Sequence, residues 1–155
     1  METPLSVVMT EKAALLAERG DTLYSVGPDT PAKDAIAMMC DANIGCVVVL
    51  ENDKLVGIFS ERDVMRRVAN ENVKPDGLLV RDVMTADLVT VRPNSTVEEA
   101  LVECTDRRIR HLPVAEEGQL LGLLSIGDLV RYVVKDKDRE IADLVDYIHG
   151  HQIKV

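Results

Sequence analysis

The chain has 155 residues, 46% of them hydrophobic and 29% charged, with a net charge of −9 at pH 7 and a pI near 4.8. That length suits one compact domain or two small halves sharing a core, and the composition excludes a disordered chain. The acidic balance repels nucleic acid and anionic membrane, so neither is expected as a partner, and any anionic ligand needs a local basic patch.

Taken along the chain, Thr10–Arg19 reads as a helix stopped by Gly20. Leu23–Val26 is a short apolar strand, followed by a turn at Pro28. Thr30 before Pro31 caps a helix whose apolar residues Ala32, Ala35, Ile36 and Met39 share one face. Gly45–Leu50 and Leu55–Phe59 are strands joined as a hairpin by Glu51–Lys54, and Glu61–Asn70 is a helix. Glu71–Gly77, with Pro75 and Gly77, is a linker. The same order then returns. Leu88–Val91 is a strand and Pro93 a turn. Ser95 with Glu98 forms a capping box before Val97, Ala100, Leu101 and Cys104. Arg110–Ala115 and Leu120–Leu124 make a second hairpin through Glu116–Gln119, and Ile126–Lys135 a second helix. Lys137–His149 is a separate amphipathic helix carrying Ile141, Leu144, Val145 and Ile148; it covers its own domain or a partner.

A shift of 65 residues aligns Thr22–Ala69 on Asp87–Val134 without a gap, with 14 of 48 pairs identical. This is a tandem duplication forming a pseudo-two-fold pair. Both strands of each hairpin are continuously apolar, so both sheet faces are expected to be buried. The chain lacks Trp and has one Phe, so the core is aliphatic. The odd count of three cysteines, Cys40, Cys46 and Cys104, indicates neither disulfides nor zinc, and they read as small buried hydrophobes. His149 and His151 lack partners at useful spacing, so no metal site is expected. With no apolar run long enough to span a bilayer and Glu2 ahead of any apolar stretch, the expected location is cytoplasmic.

One motif occurs twice at the same place, where a buried strand gives way to a helix. It is Gly-x-x-Ser-x-x-Asp, at Gly57, Ser60 and Asp63 and again at Gly122, Ser125 and Asp128. A Ser followed by an acid three residues on is also a plain helix cap. Capping leaves the glycine unexplained; it lets another backbone or a ligand approach the strand. A hydroxyl at a helix start suits a phosphate, and the Asp can accept from a ribose diol. There is no GxxxxGK[ST] or GxGxxG loop. Arg62, Arg66 and Arg67 cluster at the first motif, and Arg107, Arg108, Arg110 and His111 lead into the strand paired with the second.

Val80–Thr85, the Arg110-His-Leu-Pro-Val114 stretch and the doubled motif resemble the cystathionine-β-synthase (CBS) domain. The pair resembles a Bateman module of the stand-alone bacterial kind assigned to signal transduction. The resemblance implies an α/β fold of two pseudo-symmetric β-α-β-β-α CBS units packed sheet to sheet, with flanking N- and C-terminal helices. The division is 1–20 lead-in, 21–70 first motif, 71–79 linker, 80–135 second motif, and 136–155 C-terminal helix and tail. It implies a regulatory module without catalytic activity, sensing energy or redox state by binding AMP, ADP, ATP or NAD in two clefts. Ser60 and Asp63 take phosphate and ribose in one cleft, Ser125 and Asp128 in the other. Thr85, Val89 and Ile109 would meet the adenine in the Asp63 cleft, and Thr22, Tyr24 and Ile44 in the Asp128 cleft. Arg110 and His111 are assigned to the phosphate side of the Asp128 cleft, which is expected to be the tighter. Gly45 and Cys46 stand at the matching place in the Asp63 cleft, which must borrow Arg62 or Arg66 from its helix or take a ligand with less phosphate demand. The first copy lacks a clean match to the Val80–Thr85 lead-in. A homodimer and a protein effector are the expected partners; the alternative is a ligand-free dimerisation or docking scaffold.

Overall fold

The computed structural model describes residues 2–20 and 23–152. Helix α1 spans Leu5–Arg19 and ends at Gly20, whose φ of 70° a side chain would resist. It starts at Leu5 rather than Thr10 because Leu5 and Val8 carry its buried face. Strand β1 (Ser25–Val26) runs parallel to β2 (Cys46–Glu51), and between them lies α2 (Ala32–Ala42). Thr30 does not cap α2: its hydroxyl accepts from the Gly27 N–H, and the helix begins after Pro31. As the spacing predicts, α2 buries Ala32, Ala35 and Met39.

Strand β3 (Lys54–Ser60) returns antiparallel to β2 through Asn52 and Asp53, both at positive φ as a tight two-residue hairpin turn demands. Then α3 (Glu61–Asp63) widens at once into a π-helical turn, Val64–Ala69. The regular helix expected over Glu61–Asn70 is therefore broken one residue past Asp63. After α4 (Val80–Val83) comes α5 (Val97–Arg107). Its capping box is Thr96 with Glu99, one residue later than Ser95 with Glu98, because Ser95 Oγ instead accepts from Arg92 N–H. The expected strand Leu88–Val91 reduces to Val91, which bonds across to Pro113 and Ala115. Strands β4 (His111–Glu116) and β5 (Gln119–Ser125) turn through Glu117 and Gly118.

Helix α6 spans Ile126–Gln152 without a break. Two helices are expected over this stretch, but nothing between Asp128 and Ile148 stops a helix, because no Pro or Gly intervenes. Its outer half leaves Ile141, Leu144, Val145 and Ile148 exposed.

Alternation along the hairpins divides the core. Val47, Val49 and Phe59 face α2 on one side, while Cys46, Val48 and Ile58 face the other way. Leu112, Val114 and Leu124 likewise face α5 and α6, and Leu123 joins the cluster of Val48 and Ile58. The two hairpins thus pack face to face through that third cluster. Their edges touch once, Lys54 opposite Gln119, in the strand order β1-β2-β3-β5-β4. Cys46 and Cys104 are buried as expected; Cys40, on the outer side of α2, is exposed.

The lead-in segments are exchanged. Val80 and Val83 of α4 complete the core around α2, while Leu5 and Val8 of α1 complete the core around α5. The bonds match pair by pair. Val80 N–H donates to Thr30 O and Arg81 N–H to Pro28 O; Leu5 N–H donates to Ser95 O and Ser6 N–H to Pro93 O, all at 2.8–2.9 Å. Each lead-in ends with a methionine over a motif glycine. A Cβ on Gly57 would lie 2.6 Å from Met84 Sδ and 3.1 Å from Thr85 O, and one on Gly122 would lie 2.9 Å from Met9 Cε. The glycines are there for chain packing.

Gly57→Ala should therefore cost about 1–3 kcal/mol, because the Thr85 backbone cannot move aside. Gly122→Ala should cost less, below about 1 kcal/mol, because only the free end of Met9 must shift. Urea unfolding of the two variants checks the order; a larger loss in Gly122→Ala would overturn it.

Candidate functional site

Ser60 ends β3 and caps α3. Its hydroxyl accepts from Asp63 N–H at 3.3 Å, while Asp63 Oδ2 accepts from Ser60 N–H at 3.0 Å and Ser60 Oγ at 3.1 Å. The capping reading thus holds, yet it uses half of the carboxylate. Asp63 Oδ1 accepts from Thr85 Oγ1 at 2.8 Å, and Arg67 Nε stands 3.9 Å away. Arg67, in the π-helical turn one helical step on from Asp63, also donates to Met84 O. Among the described residues Asp63 is the one charged side chain that is buried, 6% exposed.

Around this carboxylate lies a cavity of about 190 Å³. Ser60, Arg62, Asp63, Thr85, Val89 and Ile109 line it, as do Arg110 and His111. This departs from the expectation that Arg110 and His111 serve the Asp128 side. Because the hairpins meet face to face, the start of each faces the start of the other, and Gly45 and Arg110 line one cavity. Gly45 faces His111: a Cβ there would stand in ordinary contact, 3.5 Å from His111 Cε1. Arg62 lines the cavity too, but its guanidinium donates to Arg108 O at 2.6 Å. Glu61 and Asp87 add carboxylates to the wall. Wider surface grooves of about 530 and 600 Å³ run beside Leu88–Arg92, but neither touches a motif residue.

The Asp128 side is built differently. Asp128 Oδ2 accepts from Ser125 N–H at 2.8 Å, and Ser125 Oγ accepts from Asp128 N–H at 3.1 Å, the same cap as in the first copy. Lys12 Nζ then donates to Asp128 Oδ2 at 2.6 Å and to Leu123 O at 2.6 Å. The cavity touching Asp128 is about 20 Å³, walled by α1 and α6. Tyr24 and Ile44 pack on the core of the first half and do not line it; Thr22 lies outside the described residues. Burial acts to raise the Asp128 pKa, but the Lys12 ammonium and the Ser125 donors outweigh it and hold it below the ordinary carboxylate value. Burial pushes the Cys46 thiol up to about 12, which leaves it without nucleophilic thiolate at neutral pH.

Sequence reasoning missed Lys12, Met9 and the exchange of lead-ins. A signal was present. Val8-Met9-Thr10 repeats Val83-Met84-Thr85 at a spacing of 75, ten more than the repeat itself. The extra ten residues hid it from a gapless alignment.

The CBS domain model matches residues 8–70 and 80–135. A mitochondrial CBS domain-containing protein of Arabidopsis thaliana, CBSX3, is 37% identical over 153 residues, 96% of this chain and 73% of that protein. Among solved structures, a CBS-domain protein of Burkholderia ambifaria MC40-6 superimposes with a TM-score of 0.77 at 35% identity, covering 86% of this chain and 96% of that one. The crystal structure of CBSX2 in complex with AMP superimposes with a TM-score of 0.67 at 30% identity, covering 75% of this chain and 90% of that one.

His111 gives the cavity a pH dependence. Burial, then Lys12, lower its pKa below the ordinary 6.5, against the opposing pull of Asp128 and Glu61. A folded value below the unfolded one means that protonation favours the unfolded chain. The His111 contribution is complete above pH ~6.5 and is lost as pH falls through the unfolded value towards the folded one. Unfolding free energy measured between pH 7.5 and 5 should fall in the wild type and fall less in His111→Gln. Equal slopes would overturn the assignment.

Proposed function

We infer that this chain, which belongs to the CBS domain family, is a regulatory module that binds an adenine nucleotide in the Asp63 cavity and performs no chemistry on it. The observation that carries this reading is the convergence, in one cavity, of the Asp63 carboxylate, the Ser60 helix start, and Arg110 between apolar walls. A ribose diol donates to Asp63, in exchange for the Thr85 hydroxyl that now occupies Oδ1. The adenine lies between Val89 and Ile109, and the phosphate beside Arg110. The AMP complex of CBSX2 supports the adenylate class.

Charge sets the preference within that class. With Glu61 and Asp87 on the wall and Arg62 engaged by Arg108, a monophosphate fits better than a triphosphate. ADP, ATP and NAD are therefore the weaker candidates. The Ser60 hydroxyl is engaged in its own cap, and among the described residues no imidazole is bonded to it, which supports a binding rather than a nucleophilic role. Among the described residues no helix is long and apolar enough to cross a membrane. One further observation favours docking of a partner or second copy alongside nucleotide binding: the exposed Ile141, Leu144 and Ile148 on α6.

AMP should raise the melting temperature, by the equivalent of about 2.7 kcal/mol at a concentration 100 times its dissociation constant. By calorimetry, Asp63→Asn should weaken AMP about tenfold or more, since a bond to a charged acceptor is worth about 1.5–3 kcal/mol. Arg110→Ala should weaken AMP but not adenosine. No shift with AMP, ADP, ATP or NAD would overturn the reading, as would turnover of ATP.

A further inference from the structure

Lys12 reaches, with one side chain, the counterparts of the carbonyl and the carboxylate that Thr85 reaches in the other half, but it bonds the carboxylate oxygen that already accepts from the helix cap. Thr85 N–H donates to Ile58 O at 2.8 Å and Thr85 Oγ1 to Asp63 Oδ1 at 2.8 Å. At the pseudo-two-fold position, Leu123 O and Asp128 Oδ2 both receive Lys12 Nζ at 2.6 Å. The residue that matches Thr85 in sequence is Thr10, but it cannot serve. The chain at Thr85 has left its helix and runs extended beside Ile58, whereas at Thr10 the helix continues to Arg19 and the hydroxyl turns back to Ser6 O. In the first half, the extended exit leads the chain along the cavity wall through Asp87, Leu88 and Val89. In the second half, α1 stands there instead, and with α6 it walls a hollow of about 20 Å³ that touches Asp128.

We propose that Lys12, carried by the prolonged α1, is the built-in occupant of the Asp128 carboxylate, so that the chain holds one open adenylate site instead of two. This rests on the reading of the Asp63 cavity given above and goes beyond it, because the family motif is complete in both halves. The ammonium shares Asp128 Oδ2 with the Ser125 cap and neutralises the carboxylate that a ribose diol would otherwise approach, and the helix that delivers it stands where the first half has its cleft wall. The ion pair is well shielded, with side-chain exposures of 26% for Lys12 and 12% for Asp128, so an incoming neutral diol must displace a charge-assisted bond.

The test uses the full chain and AMP as probe. Calorimetry should give one AMP per chain in the wild type, two in Lys12→Ala, and one again in Lys12→Ala/Asp128→Asn. Two AMP per wild-type chain, or one per chain in Lys12→Ala, would overturn the proposal. A second measurement is independent of nucleotide: acetylation by acetic anhydride, read by mass spectrometry. Lys12 should react more slowly than Lys33 and Lys137, whose side chains are 59% and 60% exposed, and should reach their rate in Asp128→Asn. Reaction of wild-type Lys12 at the rate of Lys33 overturns the proposal whatever AMP does. If no variant binds AMP while Lys12 is protected and then released, the adenylate reading of the Asp63 cavity falls and the Lys12 contact stands.

Discussion

The seating of a methionine over a strand glycine is the constraint on which the arrangement depends. Met84 on Gly57 brings the Thr85 backbone against β3, and from there the Thr85 hydroxyl reaches Asp63. Met9 on Gly122 holds α1 at the same depth against β5, which is what brings Lys12 within reach of Asp128. A side chain at Gly57 would press on the Thr85 backbone and take the donor with it, whereas one at Gly122 would press only on the free end of Met9. The glycine of the motif thus acts on the carboxylate three turns of logic away: through packing, then backbone position, then a hydrogen bond.

The same seating yields different outcomes because the chain differs after it. Past Met84 the residues Thr85, Ala86 and Asp87 leave the helix; past Met9, Thr10, Glu11, Lys12, Ala13 and Ala14 continue it with good helix formers. One half has an extended chain along its cavity wall and the other a continuous helix in that place. Electrostatics follow. The Asp63 carboxylate is held by neutral hydroxyl and amide donors, with Arg67 at a distance, while Asp128 is held by an ammonium in contact. Identical motifs therefore present different chemistry to a ligand.

The periodicity of Ala32, Ala35 and Met39 and of Val97, Ala100 and Cys104 was enough to place both helices on their hairpins, since each apolar face had one partner of matching pattern. The hairpins were legible for the same reason. Caps slipped by one residue where two hydroxyls stood together, Ser95 beside Thr96, and the competing turn at Arg92 took the first. Which cavity Arg110 and His111 enter was not legible. Local pattern reports the element a residue sits on, whereas their neighbours across the pseudo-two-fold come from a strand 65 residues away. Lys12 was hidden more deeply, because its contact spans 116 residues and no motif announces it.

The exchange of lead-ins has a consequence for descent. A half-length chain carrying one lead-in and one hairpin could not fold its own segment back, since in both halves the lead-in completes the opposite core. Such a chain would bury its methionine and its valine only by handing them to a second copy and receiving that copy's in return. Fusion of two genes would convert that reciprocal pair into the present single chain with no new contact required. It would also free each lead-in to diverge, the one into an extended cavity wall, the other into a long helix whose Lys12 reaches Asp128.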